Sequence, residues 1–286
     1  MAILITTSGL FTDNSLPVLK IDSILPDAGA LFLFDASKTA DLSFINQQDG
    51  VIENLAYVQA ASLIPGLLKT EAAGITSKVF GSSAAGSAKL TSKKGIHVIN
   101  SQVSSANGNG FSIALPTKIK QYMLANATHA YFVSLWGKIT RGTLDTTGQY
   151  TQYGILQNLN STRLNWFTTT DVSPSGNSLG KRVSGSFATI GNFIRNAAHS
   201  TFTAPGLSDP ASLNAYFQVG SKDVYGGSNV NKAASAILYK GYIEDLTVSG
   251  RSYATVNAID YNLYLQDLGS GGRFDGDIYD DPATIA

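Results

Sequence analysis

Four aspartates near the end of the sequence form its one pattern typical of a metal site: Asp275, Asp277, Asp280 and Asp281. Carboxylate oxygens are the hard ligands that Ca²⁺ prefers. Their spacing differs from that of an EF-hand loop, and no glutamate closes the pattern. The preferred interpretation is a solvated acidic tail over residues 269–286, with a Ca²⁺ site as the alternative. No other cofactor is expected.

The glutamates do not form a catalytic pair. The chain has three of them, Glu53, Glu71 and Glu244. Glycosidases use two carboxyl groups that flank the scissile bond, about 5–9 Å apart. Glu244 is followed by Asp245, but neighbouring residues of a strand point to opposite faces. His97, His129 and His199 also lack the spacing of metal ligands. We therefore expect that this protein is not an enzyme.

Aromatic residues in or beside long polar loops are candidates for sugar binding: Tyr150, Tyr153, Trp166 and Tyr225. Such side chains present a flat apolar ring and, in Tyr and Trp, a hydrogen-bonding group. The alternative for each is ordinary packing inside the fold. For Trp166 packing is the preferred interpretation.

Composition and charge narrow the range of partners. Of 286 residues, 43% are hydrophobic and 14% are charged, so the chain has enough apolar residues for a core and a surface poor in charge. The net charge is zero and no long basic run occurs, which argues against nucleic-acid binding. No segment approaches the roughly 20 apolar residues of a membrane span. The start lacks the pattern of a signal peptide, so we expect synthesis in the cytoplasm of a host cell.

Short apolar segments alternate with turn-forming residues along most of the chain, which is typical of an all-β sandwich. Residues 131–139 form a nearly continuous apolar run and predict a central strand with both faces buried. Other strands are predicted at 30–34, 111–115, 164–167, 215–219 and 237–248. Most strands lack a helical connection, which disfavours a parallel sheet. We expect one antiparallel jelly-roll sandwich over residues 28–268.

Two helices and an N-terminal arm complete the predicted domain. A short helix is expected at 119–126. A longer one begins after Ser252, a good N-cap residue, and ends before Gly269. Its apolar positions at helical spacing are Tyr253, Val256, Ile259 and Leu263. Residues 1–27 are interpreted as an arm that packs on its own domain or docks on a neighbour.

Three segments resemble, in order, the laminin-G-like branch of the concanavalin A-like lectin and glucanase sandwiches: residues 30–43, 131–140 and 239–251. The second is similar to a family strand whose tryptophan, here Trp136, packs between the two sheets. The third is similar to the closing strand G-x-I-D-[DE]-[VL]-x-[IV]. There, Gly241 permits a close approach of another chain segment. A bulge is expected to turn Glu244 and Asp245 outward.

The absence of cysteine and of a signal sequence, with a sandwich rich in Ser, Thr and Asn, is similar to the make-up of bacteriophage structural proteins. We therefore predict a virion protein of a tail fibre, baseplate or capsid-attached type that binds host-surface glycans. It is expected to form a homo-oligomer, with a trimer preferred, and to contact other virion proteins through residues 1–27. The alternatives are a purely architectural subunit without a ligand and a polysaccharide-degrading enzyme.

Overall fold

The structure, a computed structural model, describes residues 22–142, 144 and 230–286, and between them the backbone of five strands and the side chains of residues 217–220. The strands of this part are β1 (Ala30–Asp35), β2 (Asp49–Ile52), β3 (Gly74–Val79), β4 (Gly86–Leu90), β5 (Ile96–Asn100), β6 (Gly110–Ala114), β7 (Tyr131–Arg141), β8 (Thr151–Asn158), β9 (Arg163–Thr169), β10 (Lys181–Ser184), β11 (Phe193–Ser200), β12 (Leu213–Gly220) and β13 (Ser235–Asp245). The α-helices are α1 (Tyr57–Leu63), α2 (Lys69–Ala72), α3 (Thr117–Ala125), α4 (Leu246–Ser249) and α5 (Tyr253–Leu268).

The strands form two sheets, and the strand pairs described are antiparallel, as predicted. Sheet A has the order β10-β11-β7-β13-β5-β4, and β1 also pairs with β13. Sheet B has the order β2-β3-β6-β12-β8-β9. The predicted β-rich fold is therefore confirmed, with more helix between the strands than the sequence indicated.

The long strands β7 and β13 lie side by side at the centre of sheet A. Each has 11 residues, and every residue of β13 is buried. On its other edge β13 pairs with β5 through Ala236–Leu238 and with β1 through Lys240–Glu244. The prediction that residues 131–139 form a central strand buried on both faces is confirmed.

The two sheets face each other across one apolar core. Phe217 of sheet B contacts Phe32 and Phe34 of sheet A, with ring centroids 6.4 and 5.3 Å apart. Apolar side chains of both sheets complete this core, among them Ile96, Val98, Phe111, Ile113, Val133, Leu135, Val219 and Leu238. Burial of these side chains from water on two facing sheets holds the layers together.

Helix α5 forms a third layer on the outer face of sheet A. It starts at the predicted N-cap, because the Ser252 side chain accepts a hydrogen bond of 3.1 Å from the backbone N–H of Thr255. The ring of Tyr264 meets Trp136 edge-on at 5.8 Å. The Asp260 carboxylate accepts hydrogen bonds of 3.1 Å from Trp136 Nε1 and from the hydroxyl of Ser134.

These contacts correct one expectation from the sequence and extend another. Trp136 lies under α5 rather than between the sheets, because β7 alternates and its odd-numbered residues, such as Val133 and Leu135, enter the core. The predicted apolar positions of α5 do pack on the domain, since Val256 is buried and Tyr253, Ile259 and Leu263 are partly buried against the same cluster. Asp260, Tyr264 and Leu268 are buried as well. The buried Asp260 interrupts the apolar pattern of the helix, and its carboxylate accepts hydrogen bonds from Trp136 and Ser134.

Glu244 and Asp245 do not face outward as predicted, because both are fully buried. Tyr242 Oη donates to Glu244 Oε2 over 2.7 Å, and Arg251 Nε donates to Oε1 over 2.8 Å. Asp245 ends β13 by capping α4, with its carboxylate accepting from the N–H groups of Thr247 and Val248. The predicted strand therefore stops at Asp245 rather than continuing to Val248.

The described part of the predicted N-terminal arm, residues 22–27, packs on its own chain. Ile24 and Leu25 are buried against the outer face of sheet A. Burial opposes the ionisation of Asp22, but Lys240 and Lys38 at 2.8 Å hold its pKa at about 2. Residues 1–21, and with them the rest of the predicted docking arm, lie outside the described residues.

The C-terminal segment over 269–286 lies on the surface, with most of its residues exposed, but it is anchored to the domain at several points. Phe274 is buried against Tyr239, with ring centroids 4.3 Å apart. Arg273 bridges the carboxylates of Asp35 and Asp267 at 2.7 and 2.6 Å. An apolar anchor and a bridging arginine therefore fix a segment whose acidic composition indicated a free tail.

His97 is buried where this segment crosses sheet A. Its side chain is 2% exposed, Nε2 lies 2.9 Å from the Thr140 hydroxyl, and the Tyr279 ring is 5.2 Å away. Burial lowers the pKa of His97 to about 4, although the carboxylates of Asp277 and Asp280 act in the opposite direction.

This burial predicts an acid sensitivity centred on His97. Between about pH 6.5 and 4 the unfolded chain binds a proton that the folded chain excludes, so the free energy of unfolding falls as the pH drops, by up to about 3 kcal/mol. Replacement H97Q should flatten this part of the profile, measured by urea unfolding from pH 7.5 to 4.5. An unchanged profile would contradict the buried neutral state. The ion pairs of Asp22 with Lys38 and Lys240 are lost in a separate pH range, below about pH 4.

Candidate functional site

In the described part of the chain, α5 and residues 269–286 cover much of the outer face of sheet A, whereas Val51 and Ile75 on the outer face of sheet B are exposed. Residues directly opposite each other in antiparallel strands share a face. The register therefore defines rows of positions that cross all six strands of sheet B. We call the first the apolar row: Val51, Ile75, Ala114, Tyr216, Gly154 and Trp166.

A second row on the same face is polar throughout. It lies two residues away from the apolar row on each strand and consists of Asp49, Ser77, Ser112, Gln218, Gln152 and Thr168. At its β2 end the Ser77 hydroxyl donates to Asp49 Oδ1 over 2.9 Å. The row between these two belongs to the core face and includes Ile113 and Phe217. On the outer face of sheet B, a row of apolar positions therefore lies next to a row of hydrogen-bonding positions.

Among the described residues of this face, Val51 and Ile75 at the β2–β3 edge are the exposed large apolar side chains, at 59% and 48%. They lie opposite each other in the register and so form a small apolar patch. Further along the polar row, Ser112 and Gln218 are buried. A ligand that contacts this face would therefore reach it first at β2 and β3.

Two adjoining cavities of about 590 and 240 Å³ lie at this edge and share Val51, Thr70 and Ala73. Together we call them the β2–β3 groove, lined by Ala40, Asp41, Val51, Glu53, Lys69, Thr70, Glu71, Ala73, Ile75, Pro116, Thr117 and Lys118. An apolar floor with a few converging polar groups is the usual make-up of a ligand site. The groove therefore combines space, exposed apolar surface and charge.

Ion pairs at the groove hold its walls in place. Lys118, in the first turn of α3, donates from Nζ to Glu71 Oε2 over 2.7 Å and to the carbonyl of Gly66 over 3.0 Å. Glu71 Oε2 also accepts from the N–H of Leu68, at the start of α2. These hydrogen bonds, from Lys118 first, lower the pKa of Glu71. Glu53 and Lys69 form the second pair at 2.7 Å.

Asp41 stands in the groove as a carboxylate held by hydrogen bonds alone. Its Oδ1 accepts from the N–H of Ser43 over 2.8 Å. Hydrogen bonds from the backbone and hydroxyl of Ser43 lower the pKa of Asp41. Among the described residues, no lysine, arginine or histidine forms an ion pair with it.

A third depression, of about 310 Å³, lies near the far end of β3 and the start of β4. Its lining includes Lys78, whose Nζ is bound to the carbonyl of Ile45 over 2.6 Å. This depression is smaller than the larger cavity of the β2–β3 groove. Its lining contains neither Val51 nor Ile75, the exposed apolar residues of the groove.

The structure separates the four aromatic residues predicted to bind sugar. Trp166 occupies a position of the apolar row, directly opposite Gly154. Tyr153 instead pairs with Phe217, whose own side chain lies in the core. Tyr150 and Tyr225 lie outside the described residues. The pentapeptide 176–180, Gly-Asn-Ser-Leu-Gly, which has the G-x-S-x-G form of a hydrolase turn, also lies outside them.

The four aspartates of the predicted Ca²⁺ site make separate contacts with the protein. Asp277 accepts from Tyr239 Oη, Ser92 Oγ and the N–H of Lys93, whereas Asp280 pairs with Lys89 at 2.6 Å. Asp275 and Asp281 accept from the backbone N–H groups of Gly271 and Ala283. In the described part of the chain, no three acidic, histidine or cysteine side chains are grouped as metal ligands.

Comparison with protein-family models finds no match for this sequence, and comparison with curated proteins finds no similar sequence. Within the described ranges, no helix is both long enough and apolar enough to cross a membrane.

The glutamates give a test that separates the groove from the structural ion pairs. E244Q removes the buried negative charge that is paired with Arg251 and should lower the free energy of unfolding by about 3 kcal/mol. E53Q breaks an exposed pair and should change it by less than about 1 kcal/mol. Urea unfolding of both variants at pH 7.5 makes the comparison. Equal losses would show that the Glu53 pair is a stability element and would remove it from the candidate site.

Proposed function

We propose that this chain is a virion structural protein of a bacteriophage, which displays a concanavalin A-like jelly-roll sandwich and binds host-surface glycans on the outer face of sheet B. The observation that carries the proposal is the pair of rows on that face, one apolar and one polar, which ends in the β2–β3 groove. Two facing antiparallel sheets and the three segments that resemble the lectin and glucanase sandwiches support the topology.

The rows suit a sugar chain because each sugar ring has an apolar C–H face and a rim of hydroxyl groups. At the β2–β3 end of the rows, Val51 and Ile75 offer exposed apolar surface to the C–H faces, and Asp49 and Ser77 offer hydrogen-bonding groups to the hydroxyls. Ser112 and Gln218 are buried, so among the described residues the contact surface is this end of the rows and the β2–β3 groove.

Weak binding at one copy is compatible with strong attachment of a particle. Copies displayed together gain avidity because the second contact becomes intramolecular. A homo-oligomer, with a trimer preferred, would supply these copies. Contacts with other virion proteins are assigned to the segment that precedes Asp22. Nucleic-acid binding is not part of the proposal. Catalysis is not part of it either, since Glu244 is buried and Glu53 and Glu71 are each paired with a lysine.

The proposal predicts a glycan affinity that depends on the two rows. A glycan array followed by calorimetry should identify an oligosaccharide ligand, and V51N and W166A should each weaken its binding at least tenfold. Variant I278N is the matched control, because Ile278 is at least as exposed as Val51 (73% against 59%) but lies on the C-terminal segment. Absence of any ligand, or an equal loss in I278N, would contradict the proposal.

The virion assignment has its own test. Mass spectrometry of purified phage particles from the source should find the chain at a fixed copy number, a multiple of three for the preferred trimer. A particle that contains the chain, combined with a protein that binds no glycan, would favour the architectural alternative. Absence of the chain from particles would exclude both.

A further inference from the structure

We propose that the β2–β3 groove selects uncharged glycan chains and rejects anionic ones such as uronates. This inference rests on the proposed glycan binding and names the ligand class of the same site. It follows from which charges at the groove are compensated and which are not.

The lysines of the groove are already engaged. Lys69 is paired with Glu53 at 2.7 Å, and Lys118 is bound to Glu71 at 2.7 Å and to the carbonyl of Gly66. To bind an acidic sugar, either ammonium group would have to leave a carboxylate partner. The exchange gains no new opposite charge, so these lysines provide no net attraction for an anion.

Two carboxylates remain without a cationic partner among the described residues. Asp41 lines the groove and is held by Ser43, while Asp49 lies on the same face of β2 as Val51 and is held by Ser77. Serine hydroxyls and backbone N–H groups orient these carboxylates but leave their full negative charge. With the two ion pairs balanced, Asp41 leaves the lining of the groove with a charge of minus one. Asp49 adds a negative charge at the edge of the groove, where Lys78, bound to the carbonyl of Ile45, adds a positive one.

A negative field of this kind acts on ligands according to their charge. Carboxylates accept hydrogen bonds from the hydroxyl groups of a neutral sugar, and a charged acceptor makes the stronger kind of hydrogen bond. A uronate placed within a Debye length, about 8 Å at physiological salt, is repelled instead. The same geometry therefore favours an uncharged chain and opposes an acidic one.

The test compares probes that differ only in charge. Hexasaccharides of cello- and malto-type, and the C6-oxidised uronate form of each, are titrated into the full chain by calorimetry. We expect a neutral hexasaccharide to bind about tenfold or more tightly than its oxidised form. Higher salt should narrow that difference, because screening weakens the repulsion.

Charge-neutral variants assign the effect to the groove. The double variant D41N/D49N should bring the neutral-to-uronate ratio close to one by improving uronate binding. D275N, an exposed carboxylate on the C-terminal segment, is the control and should leave the ratio unchanged. Thermal unfolding confirms that each variant is folded.

The outcomes separate this inference from the function on which it rests. Equal binding of neutral and oxidised chains, or a ratio that D41N/D49N does not alter, overturns the charge selection while glycan binding stands. Binding of the oxidised forms alone overturns it as well. Absence of binding for all four probes and for every chain of a wider array overturns both proposals together.

Discussion

The burial of β13 on both faces is the constraint on which the rest of this structure depends. A strand covered on one side by a second sheet and on the other by a helix must satisfy every polar group that it carries. Gly241 shows how tightly neighbouring strands pack, since a Cβ atom there would lie 2.2 Å from the ring of Phe34, its partner on β1. Alanine at this position would require the phenylalanine to move.

The charged residues of β13 determine what lies on the outer face of sheet A. Lys240, beside Trp136 in the register and 4.5 Å from its ring, pairs with Asp22 at 2.8 Å. Glu244 is bound by Arg251, which immediately precedes α5. Because an unpaired buried charge costs several kcal/mol, each pair fixes a segment of chain on this face. These pairs cover the outer face of sheet A at β13, and the candidate site lies on the outer face of sheet B.

Much of the sheet structure could be predicted from the sequence, because apolar alternation reports directly on strands with one or two buried faces. The central strand at 131–139 and the helix after Ser252 follow from such local patterns. The positions of Glu244 and Asp245 do not follow from a local pattern, because their partners Arg251 and Tyr122 come into contact with them only when the chain folds. A sequence pattern treats such carboxylates as solvated, whereas the fold buries them with their partners.

The candidate site was harder to predict for a related reason. Glu53 and Glu71 appear in the sequence as isolated acidic residues, and the segment between β2 and β3 has no strong helical periodicity. Its two short helices bring Lys69 beside Glu53, and Lys118 reaches Glu71 from a position 47 residues away. The rows of sheet B likewise depend on register across six strands, which no single segment encodes. The polar alternation of β6 and β12 was the one local signal of an outer face.

Native-state hydrogen exchange can show whether β13 is covered on both faces, because it measures the protection of each strand separately. If β13 is the doubly covered centre of the fold, its amides and those of β7 should exchange only through global unfolding. The amides of β2, at the exposed edge of sheet B, should exchange through smaller local openings. Exchange of β13 as fast as that of β2 would show that the outer face of sheet A is open, and the assignment of the site to sheet B would lose its basis.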